Sequence, residues 1–221
     1  MKYNRERARD FARKYWTRPC GDDFVGVITP PGVRKVDAGT EFKRDPDPKQ
    51  GESAWYNGKL TIKRELLEDC AHFVSSCIGQ PPYEKDLYGG LDLGKQPFPE
   101  AYGLFSVQGL LDRLSKQISL INVNGNAILS HDDAEKKLSE LALSDLIFYW
   151  GNPDLSKPKD YRYYHVGLYL ADSQKRIACH TYCRCDRTEE KGYPAAWDSV
   201  GLGAGIDTKY TLARVLSEPA A

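Results

Sequence analysis

The sequence predicts an α+β protein, and three observations carry that prediction. Apolar residues recur at helical spacing in the opening segment and again near residue 110. A short apolar helix begins at a cysteine, Cys70, with Phe73, Val74, Cys77 and Ile78 behind it. From Leu143 onward the period changes, and compact runs of aromatic and β-branched residues alternate with turn residues, as antiparallel strands do.

Taken in order, Ala8, Phe11, Ala12, Tyr15 and Trp16 form one stripe and predict an amphipathic helix from about Asn4 to Trp16, ended by Thr17-Arg18-Pro19. Residues 20–58 are rich in Pro, Gly, Asp and Lys and read as loop, with one short strand at Phe24 to Ile28. Thr61 to Leu67 leads into the Cys70 helix, which should stop at Gly79 because Gln80-Pro81-Pro82 cannot continue it. Residues 83–99 form a second Gly- and Pro-rich loop, a candidate substrate-binding insertion. Val107, Leu110, Leu111, Leu114 and Ile118 predict a helix from Ser106 to Ile118, and Asp132 to Leu138 a shorter one entered from Ser130 or His131. Strands follow at Leu146 to Trp150, Tyr161 to Leu170 and Ile177 to Tyr182, the last two joined across Asp172-Ser173-Gln174-Lys175, with a closing strand near Tyr210 to Leu216. The length of 221 residues fits one domain over 1–221 carrying an insertion at about 81–140.

Composition narrows the function classes. Lys plus Arg equals Asp plus Glu at 31 each, so no global field recruits nucleic acid or an anionic membrane. No window approaches the roughly 18 consecutive apolar residues of a membrane span, and Met1 to Arg7 leads into an amphipathic pattern instead of a signal-peptide core. The expectation is synthesis in a bacterial cytoplasm without a signal peptide, with export, where it occurs, by a route other than general secretion. Six cysteines are too few for a disulfide scaffold and read mainly as reduced thiols. Cys179, Cys183 and Cys185 cluster around His180, but no second Cys-x-x-Cys knuckle closes a zinc site, so neither metal nor cofactor is expected; a disulfide within the cluster stays open.

Alone, a helical cysteine is more often a core residue than a catalyst. Its position at a helix start changes the chemistry, because unpaired N–H groups and the positive dipole end favour thiolate over thiol and can face a developing oxyanion. A thiolate nucleophile needs a base, and the base needs an orienting group. Of the four histidines, His72 points to another face of the helix and His131 lies in a polar turn-like segment, which fits structural or solvent-facing roles. His165 and His180 fall on adjacent predicted strands, where a hairpin could set both imidazoles on one sheet face. Cys77 is better placed for the core than for chemistry.

Asp69-Cys70-Ala71-His72-Phe73-Val74, Ser144-Asp145-Leu146-Ile147-Phe148 and His165-Val166-Gly167-Leu168-Tyr169-Leu170 together resemble the three-block pattern of NlpC-type papain-like peptidases. The opening Tyr3-Asn4-Arg5 and the later His180-Thr181 resemble a bacterial amidase-domain branch of that superfamily. The resemblance implies a papain-like fold, with the nucleophile helix packed on a small antiparallel sheet. It makes Cys70 the nucleophile, His165 the base and acid and His180 the orienting residue, with Asp69 beside the cleft and Tyr56 on the oxyanion side. Two departures stand out: Ser144 replaces the usual glycine before Asp145, and the Cys70 to His165 spacing exceeds that of compact members.

The implied reaction is hydrolysis of an amide through a thioester, on peptide-like substrates such as peptidoglycan stem peptides. The implied setting is an antibacterial effector or lytic enzyme, with a cognate immunity protein or a secretion carrier as candidate partners. Alternatives on the same residues are a deamidase, a protein peptidase, an acyltransferase or a non-catalytic binding module.

Overall fold

In the computed structural model, residues 2–15, 24–29, 32–37, 43–44, 53–56, 61–63, 70–79, 89–93, 107–152, 161–179, 195–198 and 207–216 are described. They give an α+β arrangement. Helix α1 covers Arg5–Tyr15, α2 Cys70–Ile78, α3 Val107–Arg113 and α4 His131–Lys137. A six-stranded antiparallel sheet is built from β6 (Ile118–Leu120), β7 (Leu146–Gly151), β8 (Arg162–Tyr169), β9 (Arg176–Ala178), β10 (Ala195–Ala196) and β11 (Lys209–Val215), in the spatial order β10-β9-β8-β7-β11-β6.

Two predicted elements change here. The short strand expected at Phe24 to Ile28 is present as β1 (Phe24–Thr29), but the stretch after it, read as loop, supplies its hairpin partner β2 (Gly32–Asp37), and β3 (Lys43–Arg44) and β4 (Ser53–Tyr56) join β5 (Thr61–Lys63) in a second small sheet. Strands such as Gly-Val-Arg-Lys-Val-Asp carry mixed polar and apolar residues, so composition favours a loop reading while backbone pairing decides otherwise. Ile118 leaves the predicted helix, which ends at Arg113, and starts β6, whose pairing with β11 brings the 81–140 segment into the main sheet as an edge strand. The expected closing strand forms as β11, which lies between β7 and β6 in the sheet.

Side chains alternate across the sheet and divide the core in two. On one face Leu146, Phe148, Val166, Leu168, Ala213 and Val215 pack with Ala8, Phe11 and Ala12 of α1, Phe73, Val74, Cys77 and Ile78 of α2, and Val107 and Leu110 of α3. On the other, Ile147, Tyr149, Tyr169, Ile177, Tyr210 and Leu212 pack with Ala134 of α4, Leu138 and Trp197. The predicted α1 stripe is thus buried at Ala8, Phe11 and Ala12, while Trp16 lies outside the described residues. Ser130 caps α4, its hydroxyl accepting the Asp133 N–H, as the sequence pattern anticipates.

The start of the chain is clamped to the start of β7. The Tyr3 hydroxyl donates to the Ser144 carbonyl at 2.8 Å, and Ser144 Oγ donates to the Arg5 carbonyl at 2.8 Å. Arg5 donates to Leu143 O at 2.6 Å, Val215 O at 2.7 Å and Asp145 Oδ1 at 2.5 Å. Asp145, whose side chain is fully buried, also accepts the Ala142 and Val215 N–H groups at 2.7 and 2.8 Å. Ser144 adopts a left-handed backbone with φ of 62°, a conformation glycine takes at no steric cost, and its side-chain bond to Arg5 O helps offset that strain. Gly89 lets the chain pass close by: a Cβ there would lie 2.5 Å from Tyr3 Cε2 and 2.8 Å from the Ile78 carbonyl.

Burial pushes the Asp145 carboxyl above its ordinary value of 3.8, against the opposing hydrogen bonds from Ala142, Arg5 and Val215. A carboxyl whose pKa is raised on folding holds its proton more tightly in the native state. Its contribution is therefore complete below pH 3.8 and declines as pH rises through the folded-state value. Comparing urea-melt stability across the acid range for wild type and Asp145→Asn should show this falling component in the wild type alone; parallel curves would contradict the assignment.

Candidate active site

Cys70 is the first residue of α2 and is 8% exposed, at the edge of the core that contains Val166 and Leu168. The helix is short and strongly apolar, and it packs on both α1 and β8. Its last turn is fixed by the Gly89 N–H donating to Cys77 O and the Leu91 N–H donating to Ile78 O, and Gly79 pairs with Leu91 beyond it. The thiol expected in the first helical turn is therefore the residue that opens the helix, and Cys77, expected in the core, is fully buried.

His165 is on β8, 3% exposed and directly opposite Tyr149 in the β7–β8 register. Its ring lies 5.2 Å from the Tyr149 ring, tilted by 54°. Tyr149 is held in turn: its hydroxyl donates to the Trp197 carbonyl at 2.7 Å, and its ring meets Tyr210 edge-on at 5.5 Å. Burial, with Tyr164 and Asp198 nearby, pushes the Tyr210 phenol up to about 12.

Cys70 and His165 are thus brought onto elements that pack together, α2 and β8. Their side chains belong to different faces of the sheet. Val166 and Leu168 face the helices, whereas His165 joins Tyr149 on the opposite face. Asp69 and His180 lie outside the described residues, as do Cys183 and Cys185. Tyr56 contributes its backbone to β4, opposite Lys43 and Thr61, and its side chain is likewise outside the description, as is that of His72. Cys179 is buried beside the Tyr149 cluster, and among the described residues no group of His, Cys, Asp or Glu is arranged to hold a metal ion. Nor is any helix among them long and apolar enough to cross a membrane.

Two features escaped the sequence reading. His131 starts α4 and stacks on Trp197 at 5.2 Å and 19°, with Asp132 and Asp198 oxygens each 3.5 Å from its ring nitrogens and half of its side chain exposed. Trp150 stacks on the half-exposed Tyr161 at 5.0 Å, with Lys209 Nζ 5.6 Å from the Trp150 ring. The first depends on Trp197 arriving from a distant segment. The second could be sought as paired aromatics at facing strand ends.

No family model matches the chain, and neither a curated protein nor a solved structure matches it.

Proposed function

We propose that this chain is a cysteine amidase of the papain-like, NlpC type, hydrolysing an amide bond in peptidoglycan stem peptides through a thioester on Cys70. The observation that carries the reading is the opening of a buried apolar helix by Cys70 where that helix packs on the strand of the buried His165. In this reading N–H groups at the start of α2 donate to the oxyanion. In this reading the Cys70 thiolate attacks the carbonyl carbon and the C–N bond breaks as His165 gives its proton to the leaving amine. His165 then takes a proton from water, which attacks the thioester and restores the thiol. His180 orients His165, and Asp69 and Tyr56 border the cleft. Delivery as an antibacterial effector or a lytic enzyme would give the enzyme access to its polymer, and an effector would be matched by an immunity protein in the producing cell.

Purified protein incubated with peptidoglycan should release new amine termini, and Cys70→Ala should release none. Intact peptidoglycan alongside turnover of a protein amide would move the substrate to protein. Intact peptidoglycan with Cys70 alkylated at pH 6 no faster than cysteine in solution would favour a binding module.

A further inference from the structure

At one end of the main sheet, side chains from three neighbouring strands stack in a row. Lys209 opens β11 directly opposite Trp150 of β7, and its Nζ lies 5.6 Å from the Trp150 ring. Trp150 stacks in turn on Tyr161, the residue just before β8, at 5.0 Å and 21°. The row stands on the face that carries α2. Trp150 follows Phe148 by two residues and pairs with Tyr163, and Phe148 and Tyr163 meet edge-on at 6.1 Å in the core that includes Cys70. Tyr163 is fixed beside the row: Thr211 Oγ1 donates to the Ala127 carbonyl at 3.0 Å, so the Tyr163 hydroxyl donates to Thr211 at 2.9 Å. The last turn of α2 is anchored at the other end of this face, because the Gly89 N–H donates to Cys77 O, Gly89 lies against Tyr3, and Tyr3 is bonded to Ser144 just before β7. Packed on β8 and held there, α2 opens at Cys70 toward the end where the row stands.

We infer that the open face of Tyr161 is a saccharide subsite, which takes one pyranose ring of the glycan strand whose stem peptide is presented to Cys70. The inference rests on the reading of the chain as a peptidoglycan amidase and adds to it a substrate determinant away from the reacting centre. Tyr161 is 51% exposed and is the one exposed large hydrophobic side chain among the described residues. One of its ring faces already lies on Trp150, so the exposure belongs to the other. Lys209 and Tyr161 both cover Trp150, and Tyr161 is the member whose ring the row leaves open. The size of this surface selects the occupant. A stable protein partner needs on the order of 800 Å² from each side, far more than one ring supplies, whereas a single sugar ring is matched by a single flat aromatic. The electron-rich face of an aromatic ring attracts the slightly positive C–H groups that line one side of a pyranose. Stacking on Trp150 orders Tyr161 before the ligand arrives, which lowers the entropy lost on binding.

Titration of an N-acetylglucosamine tetramer, which carries no stem peptide, into the full-length Cys70→Ala protein tests the subsite without turnover. The tetramer should bind saturably, and adding Tyr161→Ala should raise its Kd by about tenfold or more, while Tyr161→Phe keeps it within about twofold. Tyr161→Leu, which keeps an apolar cover on Trp150 but has no ring face, should behave like the alanine variant and serves where that variant folds poorly. No saturable binding by Cys70→Ala overturns the inference, and so does a Kd that neither Tyr161→Ala nor Tyr161→Leu moves. Turnover gives a second readout. In an otherwise wild-type chain Tyr161→Leu should raise KM by about tenfold for stem peptides still attached to sugar and leave kcat and KM for the sugar-free peptide unchanged. A row that only braces the sheet predicts a lower melting temperature and equal losses on both substrates, and that pattern would also overturn the inference. Tyr161-dependent binding of the tetramer by a chain that leaves peptidoglycan amides intact keeps the subsite and removes the amidase reading. Cys70-dependent cleavage of sugar-bearing fragments that Tyr161→Leu leaves unchanged does the reverse.

Discussion

Arg5→Ala is expected to cost about 3 kcal/mol of folding stability at neutral pH, the lower end of the range for breaking a buried ion pair from one side, since Arg5 itself keeps 30% of its side chain exposed. The arginine ties together Leu143, Asp145 and Val215, that is, the approach to β7 and the end of β11. Its removal strands a carboxylate with no solvent contact, and Asp145 keeps only the Ala142 and Val215 N–H donors. The carboxyl can relieve part of that cost by taking up a proton, so the deficit should shrink as pH falls. Chemical melts at neutral and mildly acidic pH measure both quantities. A loss below about 1 kcal/mol, the size of an ordinary surface pair, would show that the clamp is not holding the fold.

His165→Asn is expected to reduce turnover by about 10³-fold or more while leaving the fold in place, because general acid–base catalysis and thiol activation are lost together. A structural role alone predicts something different. His165 packs on Tyr149, whose hydroxyl is fixed by Trp197, so a purely structural loss would appear as a lower melting temperature with residual activity in proportion to folded protein. Activity lost at unchanged melting temperature, together with loss of the rising limb of the pH–rate profile, identifies the histidine as base. Turnover retained within a few-fold of the wild type would assign the proton transfer to another group.

The parts of the fold that were legible in the sequence are those where one side chain pattern has one structural solution. The stripe Ala8, Phe11, Ala12 buries as a helix face, the run Leu146 to Trp150 forms a strand with both faces covered, and Gly79 ends α2. Ser144-Asp145 was legible only as a motif. Its structure gives the motif a physical content, since residue 144 needs a left-handed backbone and Asp145 is the anchor for Arg5 near the start of the chain. The pairing of Tyr3-Asn4-Arg5 with a block near residue 144 is thus explained by contact, with Asn4 adding an N–H bond to the Gly89 carbonyl at 2.8 Å.

What the sequence hid was set by pairing. Ile118 carries an apolar side chain that suits a helix and a strand equally, and only β11 alongside it decides between them. The face of His165 was hidden for the same reason. Tyr163, Tyr164 and Tyr169 give β8 aromatic residues at both parities, so alternation alone does not locate the irregularity between the Tyr149↔His165 and Trp150↔Tyr163 pairs, whose position depends on β7. The half of the site formed by Cys70 came from local helix chemistry; the half formed by His165 depends on a register that only the sheet defines.

The most direct test of the central claim is mass analysis of muropeptides after digestion of peptidoglycan by the wild type and by Cys70→Ala. The account predicts fragments shifted by one water per cleaved amide in the wild-type digest, at a single type of bond, and an unchanged pattern with Cys70→Ala of equal melting temperature. The same shifted fragments from both proteins would contradict Cys70 as nucleophile.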